Sequence, residues 1–338
     1  MVLGNHVKER FFGAAAAGLH MSRSLSIFRT HSPLSRARSP LSRTHSPLSV
    51  YPLSLPRRAK AEDNIIAPHE PVVNGNIDNI GKCQAIFRSL GGSAGRDSSG
   101  DRMAVVTGAS SGIGREVARL LSVSGWEVHN VSRRACCVPG VKNHVFDLSV
   151  PQQAHEAAQS LLAEVATSSA PKRTMAVVHN ASTHFEDSVT ASDPAHMAEA
   201  LNVSVVAPSI LNGALARHMS TGSSIIFVGS TLSEKAVAGR LSYVTAKHAT
   251  VGLMRSSTQD LFGSGVHTAC VCPGFTDTPM LQKAMSKAPE EAAAFVSNFV
   301  SIGRLLTAEE IAQVILFAIG NPGVNGSVIH ANGGQRET

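Results

Sequence analysis

The stretch AVVTGASSGIGREVARLL (residues 104–121) passes from a β-branched apolar run, through a glycine-rich turn, into an amphipathic helical pattern. Its glycines stand as Thr107-Gly108-x-x-x-Gly112-x-Gly114, a different spacing from the GxGxxG of the commoner dinucleotide fingerprint. Glycines at a strand-to-helix turn let the backbone approach a pyrophosphate, and the helix start offers unpaired N–H groups and the positive end of its dipole. Gly108, Ser110, Ser111, Gly112, Ile113 and Gly114 are therefore the first candidates for holding a cofactor.

Outward from this turn the chain alternates. Apolar strand-like runs occur at 126–132, 144–146, 175–180, 224–230, 267–272 and 326–331, with helical patterns at 112–124, 151–166, 194–218, 241–263 and 307–320. Strands apolar on both faces, alternating with helices, predict an α/β fold. The expected form is a doubly wound, mostly parallel sheet of about seven strands with helices on both faces, a Rossmann-type domain over 103–338. One interval is irregular: ACCVPGVK, between Arg134 and Asn143, is too short for a crossover helix and predicts a loop.

The second strand ends in Ser132-Arg133-Arg134. An NAD site places an acid there to take the ribose 2′-hydroxyl, whereas two guanidinium groups suit a 2′-phosphate. NADP is the expected cofactor, with NAD less favoured and a solvated Arg pair as the alternative.

Charge is uneven along the chain. Residues 1–60 hold ten Lys or Arg and a single acid, Glu9; with +6 for the whole chain, the remaining 278 residues net −3. The globular part thus gives no electrostatic reason to expect nucleic acid. The segment repeats HSPLS, RSPLS and HSPLS at seven-residue intervals (31–35, 38–42, 45–49), and Pro in each copy predicts a disordered arm. Residues 61–102 are expected to be linker. An Arg- and Ser-rich, acid-poor leader fits a mitochondrial or plastid transit peptide. An SP-type interaction tail, a secretory signal, and upstream sequence absent from a mature protein starting at Met103 stay open beside it, as does a cytoplasmic location. Five cysteines without CxxC spacing, and histidines without ligand-spaced partners, predict no metal. No apolar run of membrane-spanning length is expected, FFGAAAAGL (11–19) being too short.

YVTAK (243–247) puts a tyrosine and a lysine one helical turn apart on one face, and an ammonium beside a phenol favours the phenolate. With TGASSGIG (107–114), Asp147-Leu148, HNAS (179–182), Asn202, Ser230 thirteen residues before Tyr243, and PGFTDT (273–278), the chain over 103–334 resembles the short-chain dehydrogenase/reductase family. The resemblance implies an enzyme transferring hydride between a nicotinamide and a carbonyl or secondary alcohol. It implies Asn202, Ser230, Tyr243 and Lys247 as the catalytic set: Tyr243 as general acid and base, Ser230 bonding the substrate oxygen, Lys247 on the nicotinamide ribose, and Asn202 anchoring a water. Asp147, Leu148, Asn180, Ala181, Pro273, Gly274, Thr276 and Thr278 would line the cofactor, with Arg133, aided by Arg134, on the 2′-phosphate. His179 and Ser182 depart from the family's usual Asn-Asn-Ala-Gly.

A small-molecule carbonyl or alcohol is the implied partner, a 3-oxoacyl thioester among the candidates, and a homotetramer or homodimer the implied assembly. An apolar and charged segment at 279–304 is expected to form a helical lid over the substrate. An NAD-linked alcohol or sugar dehydrogenase, or a protein that binds NADP without turnover, are the alternatives.

Overall fold

The computed structural model describes residues 102–285, 296 and 298–336. The leader expected over 1–60, the linker to 101, and 286–295 and 297 of the expected lid lie outside the described residues.

The glycine turn does join a strand to a helix: β1 (Arg102–Thr107) leads into α1 (Gly112–Val123). The chain continues through β2 (Glu127–Ser132), β3 (Lys142–Val145), α2 (Pro151–Val165) and β4 (Thr174–His179). Then come α3 (Pro194–Leu201), α4 (Ala207–Leu215), β5 (Ser224–Val228), α5 (Leu241–Asp260) and β6 (His267–Pro273). A short pair of parallel strands, β7 (Thr276–Asp277) and β8 (Leu306–Thr307), flanks α6 (Pro279–Met285). Helix α7 (Ala308–Gly320) and β9 (Ser327–Ala331) complete the order.

Seven parallel strands lie in the order β3-β2-β1-β4-β5-β6-β9. The order reverses between β1 and β4, which opens a crevice at the carboxyl ends of the strands. Because successive strand residues face opposite sides, each central strand feeds two cores. Val106, Val178 and Ile226 pack with α1 and α7, while Val105, Val177 and Phe227 pack with α2, α4 and α5. Burial on both faces explains why these strands read as continuous apolar runs.

The helix expected over 194–218 is interrupted. A π-helical turn, Asn202–Val206, separates α3 from α4, and a 3₁₀ turn ends the run at Ala216–His218. Pro208 supplies the cause: it lacks the N–H that an α-helix would bond to the Ser204 carbonyl, and its ring would crowd that oxygen. The same stretch corrects a second expectation. An 18-residue window within Pro194–His218 reaches a mean hydropathy of 1.2, so by length and composition alone the stretch could cross a membrane. Its buried face, with Ala207, Leu211 and Leu215, belongs to the core shared with α2 and α5.

No helix forms between β2 and β3, as the short interval predicts. The loop is held by two amides instead. Asn143 Oδ1 accepts from the Cys136 N–H at 2.7 Å and from Asn130 Nδ2 at 2.9 Å, and Asn130 Nδ2 also reaches the Arg134 carbonyl at 3.2 Å.

Candidate active site

The glycine turn is locked to the neighbouring strand end. Thr107 Oγ1 accepts from the N–H groups of Asn180 and Ala181, each at 3.0 Å, while Asn180 Nδ2 donates to the carbonyls of Thr107 (3.0 Å) and Gly108 (3.2 Å). A Cβ on Gly114 would lie 2.5 Å from the Gly108 carbonyl oxygen and overlap Asn180, so only glycine fits beneath this lock. Gly108 and Gly112 take positive φ (71° and 56°), the left-handed region that glycine enters without strain. Ser111 starts α1 with extended backbone and no side-chain capping bond, leaving the first-turn N–H groups of the helix for a ligand.

At the far end of the crevice, Asn130 Oδ1 accepts from the Ala109 N–H at 3.0 Å and ties the glycine turn to the tip of β2. The side chains of Arg133 and Arg134 are exposed there. Asp147 Oδ1 accepts from the N–H (3.0 Å) and the hydroxyl (2.7 Å) of Ser149, which fixes the carboxylate beside buried Leu148.

Across the crevice, α5 presents Tyr243 and Lys247. Lys247 is buried, at 3% exposure, and its Nζ donates to the Val228 carbonyl at 2.8 Å while lying 5.6 Å from the Tyr243 ring centroid. Ser230 follows β5 and caps the 3₁₀ turn Thr231–Ser233: its Oγ accepts from the Leu232 N–H, and Ser233 Oγ accepts from the Ser230 N–H, both at 3.1 Å. The start of α5 is pinned by buried Asp187, whose carboxylate oxygens accept from the Ser242 N–H at 3.1 and 3.2 Å.

These elements enclose a cleft of about 1270 Å³. Every expected site residue lines it except two. Gly114 acts by packing under the turn. Asn202 lies in the π turn, its Nδ2 donating to the Ser149 carbonyl at 2.9 Å, and is absent from the described cleft wall. Pro273, Gly274, Thr276 and Thr278 form the opposite wall, steadied by Thr276 Oγ1 donating to the Gly274 carbonyl at 3.1 Å and by the β7–β8 pair.

Three features of the site have no signature in the local sequence: Asp187, His184 and Arg240. The His184 ring meets the Tyr243 ring edge-on, with centroids 5.1 Å apart. Burial, and then the nearby Arg240 charge, hold the His184 imidazole below its ordinary range, so it stands neutral near pH 7.

A separate cluster lies towards the amino ends of β2 and β3. His129 Nδ1 and His144 Nε2 are 2.9 Å apart, and with Glu164 they bring ligand-type atoms within 4.8 Å of one another. Lys142 bridges Glu127 and Glu164, and Arg173 meets Glu127 at 2.7 Å, so these carboxylates already have cationic partners.

A family model described as short chain dehydrogenase matches residues 102–289. The chain belongs to the short-chain dehydrogenase family. Among relatives, the short-chain dehydrogenase srdC of Neurospora crassa is 39% identical over 102 residues, which span 30% of this chain and 37% of that protein. This short-chain dehydrogenase therefore covers well under two thirds of that relative's length. Carbonyl reductase family member 4 of Danio rerio is 27% identical over 244 residues, 69% of this chain and 97% of that protein. Among solved structures, a 3-oxoacyl (acyl-carrier-protein) reductase from Agrobacterium tumefaciens with NADP bound superposes with a TM-score of 0.63 at 21% identity, covering 72% of this chain and 99% of that one. That likeness bears on the fold alone.

Proposed function

We propose that this oxidoreductase uses NADP(H) to interconvert a carbonyl and a secondary alcohol, with Tyr243 as the general acid and base. The observation that carries the reading is the meeting of Ser230, Tyr243 and Lys247 in the same cleft as the glycine turn and Arg133.

The residues present fit the cofactor. Uncapped first-turn N–H groups of α1 suit a pyrophosphate, and an exposed Arg pair in place of an acid suits a 2′-phosphate. When bound, the nicotinamide supplies or accepts the hydride. Ser230 Oγ accepts from Leu232, so its own hydrogen is left to donate to a carbonyl oxygen on which negative charge grows. Tyr243 gives its proton to that oxygen in reduction and recovers it in oxidation. The Lys247 ammonium stabilises the tyrosinate left behind; one of its three protons goes to Val228, and the other two are for ribose hydroxyls.

Pairing into a homodimer or homotetramer through the α3–α4 run and α5 is part of the proposal, supported by the family resemblance. Import into a mitochondrion or plastid rests on the basic leader alone.

Calorimetric titration with NADPH and NADH, on wild type and Arg133→Ala, tests the cofactor assignment. NADPH binding at least about tenfold tighter, with the margin lost in the variant, is expected; equal affinities would return the Arg pair to a solvated strand end.

A further inference from the structure

The corner that orients Tyr243 also carries two groups outside the proton-transfer set. The Asp187 N–H donates to the Gly239 carbonyl at 3.3 Å, the Leu241 N–H donates to the Asp187 carbonyl at 3.2 Å, and the Asp187 carboxylate holds Ser242. Segments 184–187 and 239–242 are thus joined, and His184 and Arg240 ride on the joint. His184 touches the Tyr243 ring edge-on, and both His184 and Arg240 line the cleft.

Arg240 is only partly engaged. One N–H goes to the Gly239 carbonyl at 3.1 Å, and the guanidinium meets Glu186 at 3.7 Å, where the Glu186 side chain is 55% exposed. So long and exposed a pairing contributes little, and a guanidinium has five N–H donors in a fork that matches a carboxylate. The charge of the lining points the same way. Among the described lining residues Asp147, on the cofactor side, is the only acid, while Arg240, Lys283 and Arg336 stand on the start of α5, on α6 and on the C-terminal segment. Phe275, Met280 and Leu281 offer apolar surface between them.

Resting on the reading of this cleft as a carbonyl site, we propose that Arg240, with His184 beside it, recognises a free carboxylate, and that the substrate is an oxo acid or the matching hydroxy acid. In reduction the carbonyl carbon gains the hydride with its electron pair, the carbonyl oxygen gains the Tyr243 proton, and the carboxylate leaves unchanged. The acid group fixes which face and which carbonyl reach Tyr243. A neutral ester of the same skeleton lacks the partner for the guanidinium fork and loses about 10- to 100-fold in kcat/KM.

The test uses the full chain with pyruvate, acetoacetate and levulinate, which place the carbonyl at three distances from the acid, each beside its methyl ester. Binding to the NADP⁺-loaded protein is followed by calorimetry and NADPH consumption by absorbance, on wild type, Arg240→Met and Arg240→Lys. The expected result is at least one acid preferred over its ester by about 10- to 100-fold, with the preference abolished in Arg240→Met and partly restored in Arg240→Lys. The wild-type comparison of acid with ester needs no variant to fold. Esters as good as the acids, or an acid preference unchanged in Arg240→Met, would overturn the subsite and leave the oxidoreductase reading standing. Arg240-dependent acid binding without NADPH consumption from any substrate would support the subsite and count against that reading.

Discussion

Replacing Gly229 with alanine tests whether the floor beneath Ser230 is as tightly built as the geometry states. Gly229 lies between Val228, whose carbonyl receives Lys247, and Ser230, and its N–H donates to the Val271 carbonyl at 2.8 Å. An added Cβ would lie 2.7 Å from Cys272 Sγ and 2.8 Å from both Cys270 Sγ and Ser233 Oγ. Ordinary contacts of this kind are about 3.5 Å or longer, and the neighbours are fully buried strand thiols and a buried 3₁₀ turn. Overpacking of this sort costs about 1–3 kcal/mol, and pushing Ser233 away from the Ser230 N–H costs about 1 kcal/mol more. The expected loss is therefore roughly 2–4 kcal/mol. Urea denaturation of the full chain, followed through the fluorescence of its single tryptophan, Trp126, provides the measurement. Pairing the change with Cys272→Ala removes the shortest contact, so the two losses should fail to add by at least about 1 kcal/mol. Strict additivity, or a Gly229→Ala loss under about 0.5 kcal/mol, would refute the packing argument.

Two further outcomes follow from buried and paired charges. Burial holds His129 and His179 down to about 4, and both bind fewer protons folded than unfolded. Their contribution is complete above about 6.5 and is lost as pH falls towards 4. For Glu127, burial favours the neutral form, but hydrogen bonds from Lys142 and Arg173 override it and bring the carboxyl to about 2. Its contribution is present above about 4.5 and lost towards 2, so urea midpoints should fall steadily below pH 6.5, and Glu127→Gln should flatten the most acidic part of the curve. A midpoint constant from pH 6.5 to 4 would contradict this. Asp187→Ala should cost about 1–3 kcal/mol and lower kcat, because both carboxylate oxygens that pin the start of α5 are removed; retention of stability and turnover would show that this pin is dispensable.

Most of the scaffold is legible in the sequence because its signals are local. β-branched runs bounded by turns mark the central strands, and the Pro139-Gly140 interval marks the place where a helix is missing. The side chains proposed for proton transfer are legible for the same reason, since one helical turn separates Tyr243 from Lys247 and one strand end carries Ser230. The rest depends on contacts between distant segments. Asp187 meets Ser242 across 55 residues, and no residue near either one announces it. Asn130 and Asn143 read as ordinary strand-end amides until β2 and β3 pair and turn them into the frame of the Arg133 loop. Pro208 did carry a signal for the break in the 194–218 helix, but it does not tell a kink from a π turn.

In the proposed mechanism Tyr243 moves the proton. NADPH consumption by wild type and Tyr243→Phe, with an oxo-acid and ketone panel, tests it most directly, while NADPH titration of the same variant reports whether the cofactor site survives. Retained NADPH binding with turnover lowered about 10²- to 10⁴-fold is the expected result. A variant that binds NADPH and turns over within about threefold of wild type would contradict it.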